Sequence, residues 1–125
     1  MQAINTNQAP PAIGPYSQAV LSNGVLYISG QLGIDPVSGN MAEGFEEQAN
    51  RVFANLKAIL EAAGMSFSNV VKASVFLLDM NNFAALNEIY ARNFSSPFPA
   101  REAVQVARLP KDGVVEISLI AMRES

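Results

Sequence analysis

The segment from Val70 to Leu78 constrains the fold most, because it is rich in β-forming residues and carries apolar side chains on both faces. A strand of this kind belongs inside a sheet that is covered on both sides. Elsewhere the chain offers only two helical segments, and two helices can cover only one face of a wide sheet. We therefore expect another molecule to bury the opposite face, and a second copy of the chain is the simplest candidate.

Two stretches have the periodicity of an amphipathic helix. In the first, from about Phe45 to Ala63, apolar side chains recur at i, i+3, i+4 and i+7, and Gly64 is a natural stop. The second runs roughly from Asn82 to Asn93, with candidate N-caps between residues 79 and 82. Asn87 lies on the apolar face of this second helix, where an amide needs hydrogen-bonding partners.

The remaining periodic segments predict strands. Asn23-Gly24 separates two β-rich runs and predicts a tight hairpin in which Ser22 pairs with Val25 and Gln18 faces Ser29. Two alternating strands follow the second helix, at residues 100–107 and 114–122. With a short first strand, the order becomes β, β, β, α, β, α, β, β. This order predicts an α+β fold in one domain, residues 1–125, with both helices on one face of the sheet.

The composition excludes several classes of chemistry. The chain has no cysteine and no histidine, which rules out thiolate catalysis, disulfides and Ser-His-Asp schemes. Proton transfer would therefore depend on Glu, Asp, Tyr, Lys or a bound water. The aspartates lack calcium-loop spacing and the glycines form no phosphate-binding motif, so we expect no metal.

Charge and hydropathy narrow the choice of partners. The 8 basic residues are dispersed and outnumbered by 11 acidic ones, which argues against nucleic-acid binding. The N-terminus lacks the pattern of a signal peptide, and no apolar run has the length of a membrane span. We expect a cytoplasmic protein with no membrane partner.

Arg101 and Glu116 are charged residues set into segments that otherwise read as buried strands. Such charges are costly unless they are paired or used. One interpretation is an intramolecular ion pair between neighbouring strands, and the pattern alone favours it. The other is functional: Arg101 would grip a ligand carboxylate with its two-pronged donor fork, and Glu116 would orient or deprotonate a water.

Four further positions are candidates, each with a plainer alternative. Gly30 ends a strong strand next to Ser29, so it either lets a ligand approach backbone N–H groups or merely allows a bend. Tyr16 is either an ordinary strand-edge aromatic or a pocket residue. Asn87 is either a satisfied core amide, which the pattern favours, or a ligand contact.

Six motifs in order along nearly the whole chain resemble those of the Rid family, also known as the YjgF family. They are Gly14-Pro15-Tyr16-Ser17-Gln18-Ala19, Ile28-Ser29-Gly30-Gln31, Asn87-Glu88-Ile89-Tyr90, Pro99-Ala100-Arg101, Ala107-Arg108-Leu109-Pro110 and Val115-Glu116-Ile117. The arginine, the downstream glutamate and the serine-glycine pair are similar to the RidA subgroup of imine and enamine deaminases.

This resemblance implies a chorismate-mutase-like α+β fold, a homotrimer with inward-facing sheets, and ligand sites in clefts between subunits. It implies hydrolysis of 2-iminoacids and 2-aminoacrylate-type enamines to 2-oxoacids and ammonia. Arg101 and Glu116 would be catalytic, and Tyr16, Ser29, Gly30, Asn87 and Ala103 would join Arg101 in binding the substrate. The imine is already electrophilic, so no cofactor is expected.

One position departs from the family, because relatives often carry a cysteine where this chain has Ala103. A thiol is therefore not essential here, and alanine suffices if only the backbone groups of this residue are used. Two alternatives to catalysis stay open. One is a regulatory trimer that binds small carboxylates without turnover, and the other is an endoribonuclease or translation inhibitor, which the acidic balance disfavours.

Overall fold

The computed structural model describes residues 1–124, so the predicted domain of residues 1–125 ends one residue beyond them. Its strands and helices follow each other in the predicted order. The strands are β1 (Gln2–Ile4), β2 (Ala19–Ser22), β3 (Val25–Leu32), β4 (Val70–Leu77), β5 (Ala100–Gln105) and β6 (Val115–Met122). The helices are α1 (Phe45–Ala62) and α2 (Phe83–Asn93).

All six strands form one mixed sheet with the order β1-β2-β3-β6-β4-β5. Only β4 and β5 run parallel, joined by a crossover through α2, and the other neighbours are antiparallel. The last strand therefore lies in the middle of the sheet, between β3 and β4. This arrangement leaves β5 at one edge and puts β4 between β5 and β6.

The hairpin at Asn23-Gly24 is confirmed. Both residues have positive φ, 52° and 77°, as a two-residue turn between right-twisted strands requires. Ser22 pairs with Val25, and the amide of Ser29 donates to the carbonyl of Gln18 at 3.0 Å, as the sequence predicted. The turn thus sets the register that carries Ser29 to the far end of β3.

Both helices pack on the same face of the sheet, as predicted. The β6 side chains on that face are buried, and so is the apolar stripe of α1. The opposite face has no cover within residues 1–124, and Tyr27, Val104 and Met122 are 48%, 45% and 46% exposed there. The partner that the sequence predicted for this face stays a prediction.

Several element bounds differ from the sequence prediction. The structure ends α1 at Ala62, continues β3 past Gly30 to Leu32, ends β4 at Leu77 and begins β6 at Val115. Two further differences have a structural cause. Helix α2 begins at Phe83 rather than Asn82, because residues 80–82 form a separate 3-10 turn capped by the side chain of Asp79. Strand β5 ends at Gln105 rather than Ala107, because its neighbour β4 ends at Leu77 and offers no further partners. Within the part of the chain described, no helix combines the length and hydropathy needed to span a membrane.

Candidate functional site

A cavity of about 800 Å³ lies beside the ends of β3 and β6. Its walls come from the proline-rich segment before β2, the loop after β3 and the turn before β6. Four of the predicted site residues line it: Tyr16, Ser29, Gly30 and Glu116. The structure therefore brings together residues that are far apart in the sequence.

Glu116 and Gly30 meet inside this cavity. The pairing of β3 with β6 shifts register between Ile28 and Gln31, and Gly30 lies in that irregularity. A Cβ atom added to Gly30 would lie 2.8 Å from Cδ of Glu116, so glycine is needed for the carboxyl group to occupy its place. Burial raises the pKa of Glu116 above its ordinary value, because a partly desolvated carboxyl resists ionisation.

Tyr16 and Ser29 have different roles in the wall of the cavity. The hydroxyl of Ser29 donates to the carbonyl of Ser17 at 2.7 Å, which ties β3 to the segment before β2. Tyr16 is 55% exposed, so its ring is available at the cavity surface. Lys111 also lines the cavity, from a turn where its φ is +55°, and sequence analysis gave no signal for it.

Arg101 lies elsewhere, on the edge strand β5 against helix α2. Its Nη1 donates to Oδ1 of Asn87 at 2.7 Å. Its Cζ lies 4.8 Å from the centroid of the Tyr90 ring and 5.3 Å from that of Phe83, within range of cation–π attraction. Helix α2 thus holds the guanidinium group on three sides. Asn87, which the pattern favoured as a core amide, is half-buried and has Arg101 as its partner.

Arg101 and Glu116 extend from opposite faces of the sheet. Arg101 is paired with the fully buried Ala73 and contacts α2, so it lies on the helical face together with Ala103. Glu116 alternates with Val115 and Ile117, which are buried beneath the helices, so it lies on the other face. Strand β4 separates the two strands, and residues 1–124 contain no ion pair between Arg101 and Glu116. The interpretation as an intramolecular ion pair is therefore wrong.

Sequence analysis missed the aromatic contacts of Arg101. Tyr90 had been noted only within a family motif, and Phe83 only as part of the predicted second helix. Their position over the guanidinium depends on the crossover between the parallel strands β4 and β5, which brings α2 beside β5. Local periodicity does not predict this crossover. The hydroxyl of Tyr90 is buried without a hydrogen-bonding partner among the described residues, and burial raises its pKa while Arg101 opposes that rise.

The acidic side chains do not gather into a metal-binding cluster. Among the residues that the structure describes, no three Asp or Glu side chains are grouped closely enough to hold an ion. Asp35, in the loop that walls the cavity, accepts the amides of Ser38 and Val37, which lowers its pKa and fixes the turn. The Asp35 carboxylate therefore stabilises the loop through these two hydrogen bonds.

Comparison with known proteins agrees with the motifs. Residues 6–123 match the family described as Endoribonuclease L-PSP. A goat (Capra hircus) protein named 2-iminobutanoate/2-iminopropanoate deaminase is 55% identical over 121 residues, covering 96% of this chain and 88% of that protein.

Solved structures give the same result. RidA from an Antarctic Psychrobacter is 55% identical, with a TM-score of 0.96 over 98% of this chain and 100% of that one. TdcF from E. coli, solved with bound serine, is 41% identical, with a TM-score of 0.94 over 99% of this chain and 100% of that one. The chain therefore belongs to the Endoribonuclease L-PSP family, which is the Rid or YjgF family that its motifs resemble.

Proposed function

We propose that this chain is a deaminase that hydrolyses 2-iminoacids and their 2-aminoacrylate-type enamine tautomers to 2-oxoacids and ammonia. The observation that carries the proposal is the carboxyl group of Glu116, half-buried in the cavity beside Gly30 with a raised pKa. A partly buried carboxyl group with a raised pKa is a better proton acceptor than an exposed one once it is ionised. The similarity to the goat deaminase supports the same reaction.

The reaction requires the protein to position the substrate and a water molecule and to transfer protons. The Glu116 carboxylate takes a proton from a water molecule as the water oxygen attacks C2 of the imine. That proton passes to the imine nitrogen, which gives a carbinolamine. The hydroxyl proton of the carbinolamine then moves to its amine nitrogen, again by way of the Glu116 carboxylate, the C–N bond breaks, and ammonia leaves as the C2 carbonyl forms. Because the C=N bond is already electrophilic, the proposal assigns no cofactor.

Arg101 is proposed to anchor the substrate carboxylate. A guanidinium group has about five N–H donors in a planar fork, and its bond to Asn87 uses one of them. The contacts with Asn87, Phe83 and Tyr90 hold the guanidinium in place before a ligand arrives, which lowers the cost of ordering it. The serine bound to E. coli TdcF carries a carboxylate of the same kind.

We infer that one substrate contacts Arg101 and Glu116 from two different copies of the chain. Within one copy these residues lie on opposite faces of the sheet, so they cannot contact the same small molecule. A homotrimer with sites between subunits would bring the edge strand β5 of one copy to the open face of the next. It would also cover the exposed apolar side chains of that face.

The other predicted site residues keep supporting roles in this proposal. Tyr16 and Ser29 shape the pocket, and backbone groups near Gly30 and Ala103 orient the substrate. Asn87 acts by holding Arg101. The cytoplasmic location stays a prediction from the sequence.

Replacement of Arg101 tests the proposal. A PLP-dependent dehydratase generates the imine in solution, and the formation of the 2-oxoacid is followed with and without this protein. We expect the wild-type protein to accelerate the reaction and Arg101→Ala to abolish that acceleration. Arg92→Ala, which removes an exposed arginine from the last turn of α2, is the matched control and should keep full activity. Undiminished acceleration by a folded Arg101→Ala trimer would refute the assignment of Arg101.

A further inference from the structure

Four amide side chains are buried among residues 1–124, and each binds backbone in or beside the segments that wall the Glu116 cavity. They are Gln18, Gln31, Gln48 and Asn55. Gln18 binds the segment before β2, donating to the carbonyl of Pro10 at 2.7 Å and accepting from the amide of Thr6 at 2.8 Å. Gln31 donates to the carbonyl of Ser29 at 3.3 Å. The buried amide side chains among the described residues are thus concentrated around one cavity.

Gln48, on α1, is in contact with both strand ends that flank Glu116. Its Oε1 accepts the amide of Val114 at 2.9 Å, in the residue just before β6 and two residues before Glu116. Gly33, at the end of β3, packs so closely on the backbone of Gln48 that an added Cβ atom would lie 2.6 Å from its Cα. The side chain is only 6% exposed.

Asn55 lies seven residues further along α1, two helical turns away and therefore on the same face. Its Nδ2 donates to the carbonyl of Leu32 at 3.1 Å and to that of Ile34 at 2.9 Å, and the side chain is fully buried. Leu32 is the register partner of Glu116. Asn55 therefore fixes the strand against which Glu116 is aligned.

The geometry points to Gln48 and Asn55 as positioning residues that hold Glu116 in its cavity through the ends of β3 and β6. Neither residue lines the cavity, so they act through the strand ends and not as reacting groups. This inference rests on the proposed function for its kinetic consequence. The effect on the surroundings of Glu116 does not depend on that function.

A purely structural role for these amides predicts a different outcome. A buried backbone amide left without its acceptor destabilises the fold wherever it occurs. A positioning role predicts, in addition, a loss of turnover that other equally destabilising changes do not cause. Asn69 offers the comparison, because its Nδ2 donates to the carbonyl of Met122 at 3.1 Å, at the end of β6 remote from Glu116.

The test compares Gln48→Met, which keeps the length of the side chain but removes the acceptor, with Asn69→Ala. Urea unfolding gives the stability of each variant, and the dehydratase-coupled assay gives kcat and KM. We expect the unfolding midpoint to fall in both. Gln48→Met should lose at least about tenfold in kcat with KM changed less than about twofold, whereas Asn69→Ala keeps kcat within about twofold.

A second readout is independent of turnover. NMR titration of the Glu116 carboxyl group is expected to show its raised pKa moving towards the ordinary value in Gln48→Met and staying in place in Asn69→Ala. Lys111 and Asp35, the other charged side chains lining the cavity, are unchanged in both variants. This readout still tests the inference if the wild-type protein proves inactive on imines, an outcome that would reject only the proposed function.

An unchanged Glu116 pKa in Gln48→Met overturns the inference, as does a kcat within about twofold of wild type. If Gln48→Met does not fold, Asn55→Ser decides by the same two measurements. That variant removes the donors to Leu32 and Ile34. A displaced Glu116 pKa with reduced kcat supports the inference, and wild-type values for both reject it.

Discussion

Gly30 and Glu116 occupy adjoining space in which no side chain fits on residue 30. An added Cβ atom would lie 2.8 Å from Cδ and 3.0 Å from Oε1 of the glutamate. Gly30 does not have the positive φ that favours glycine, so this close contact is the constraint that the structure places on the residue. The atoms in conflict belong to the end of a flexible side chain, which can move at smaller cost than the backbone.

Gly30→Ala is therefore expected to displace the Glu116 carboxyl group while the fold survives. We predict a fall in kcat of about 10- to 100-fold, because proton transfer depends on the position of the carboxyl group. The free energy of unfolding should fall by about 1–3 kcal/mol, as for other overpacked sites. The coupled assay and urea unfolding measure the two effects.

A double variant provides the control for this prediction. In a Glu116→Ala background the added methyl group no longer meets a carboxyl group. Gly30→Ala should then change the free energy of unfolding by less than about 0.5 kcal/mol, showing that the two sites are coupled. Equal destabilisation in both backgrounds would show that the added methyl group conflicts with atoms other than the Glu116 carboxyl group.

Removal of the amide that holds Arg101 should weaken substrate binding. Asn87→Ala deletes the acceptor of the 2.7 Å bond from the Arg101 guanidinium. We expect KM to rise about 5- to 30-fold, corresponding to about 1–2 kcal/mol, with a smaller change in kcat. Asn93→Ala, on the same helix, removes only a bond to the carbonyl of Ile89 and serves as the control. Equal KM values for the two variants would count against the positioning role of Asn87.

The ring of Tyr90 and its buried hydroxyl group can be tested separately by substitution. Tyr90→Phe keeps the aromatic face over Arg101 and removes a hydroxyl that has no partner among the described residues. The free energy of unfolding should therefore rise by about 1 kcal/mol, with KM unchanged. Urea unfolding and the coupled assay measure these quantities. Destabilisation of Tyr90→Phe would show that the hydroxyl has a partner, and Tyr90→Leu should raise KM because it removes the ring.

Glu116→Gln tests the carboxyl group through the dependence of stability and activity on pH. The folded-state pKa of Glu116 is raised by burial, so the folded protein holds this proton more tightly than the unfolded chain. The free energy of unfolding of the wild type should therefore fall as pH rises from the ordinary value of 4.5 through the raised pKa. Glu116→Gln lacks this contribution, so its stability relative to wild type should increase over the same range.

The activity profile of Glu116→Gln completes this prediction. In the wild type, kcat/KM should rise with pH through the raised pKa as the carboxylate forms. The variant should lack this rise with pH, and its kcat should be about 100-fold lower. Oxoacid binding should persist, because Arg101 is intact. Parallel losses of binding and rate, or an unchanged kcat, would argue against a base. No acceleration by the wild type, with oxoacid binding equal in both proteins, would favour a binding protein without turnover.

Local sequence patterns were sufficient for the elements of this fold. Asn23-Gly24 specified its hairpin because a type I′ turn requires two residues that tolerate positive φ. The α1 stripe and the alternation of β6 were evident because burial of one face imposes a period on neighbouring residues. The end of an element was predicted less accurately where another element determines it. Strand β5, for example, ends where its partner β4 ends.

The candidate site could be predicted as a set of residues but not as an arrangement. Arg101 and Glu116 were conspicuous because charges within apolar strands are costly. For Arg101 the premise was wrong, because β5 is an exposed edge strand and Arg101 itself is exposed. Their separation onto opposite faces follows from the register that places Arg101 beside the buried Ala73 and Glu116 beside the half-buried Phe76. That placement is a long-range pairing with no local signature.

The sequence by itself determined the order of elements, the family, and the residues that could carry chemistry in a chain without histidine or cysteine. Only the tertiary structure decided which of those residues meet. It brought Gly30 against Glu116, placed Arg101 beside Asn87 and two aromatic rings, and joined the buried amides of α1 to the backbone around the ends of β3 and β6. Periodicity reports the environment of each segment, whereas contacts between distant segments depend on strand order and crossover, which are fixed when the whole sheet packs.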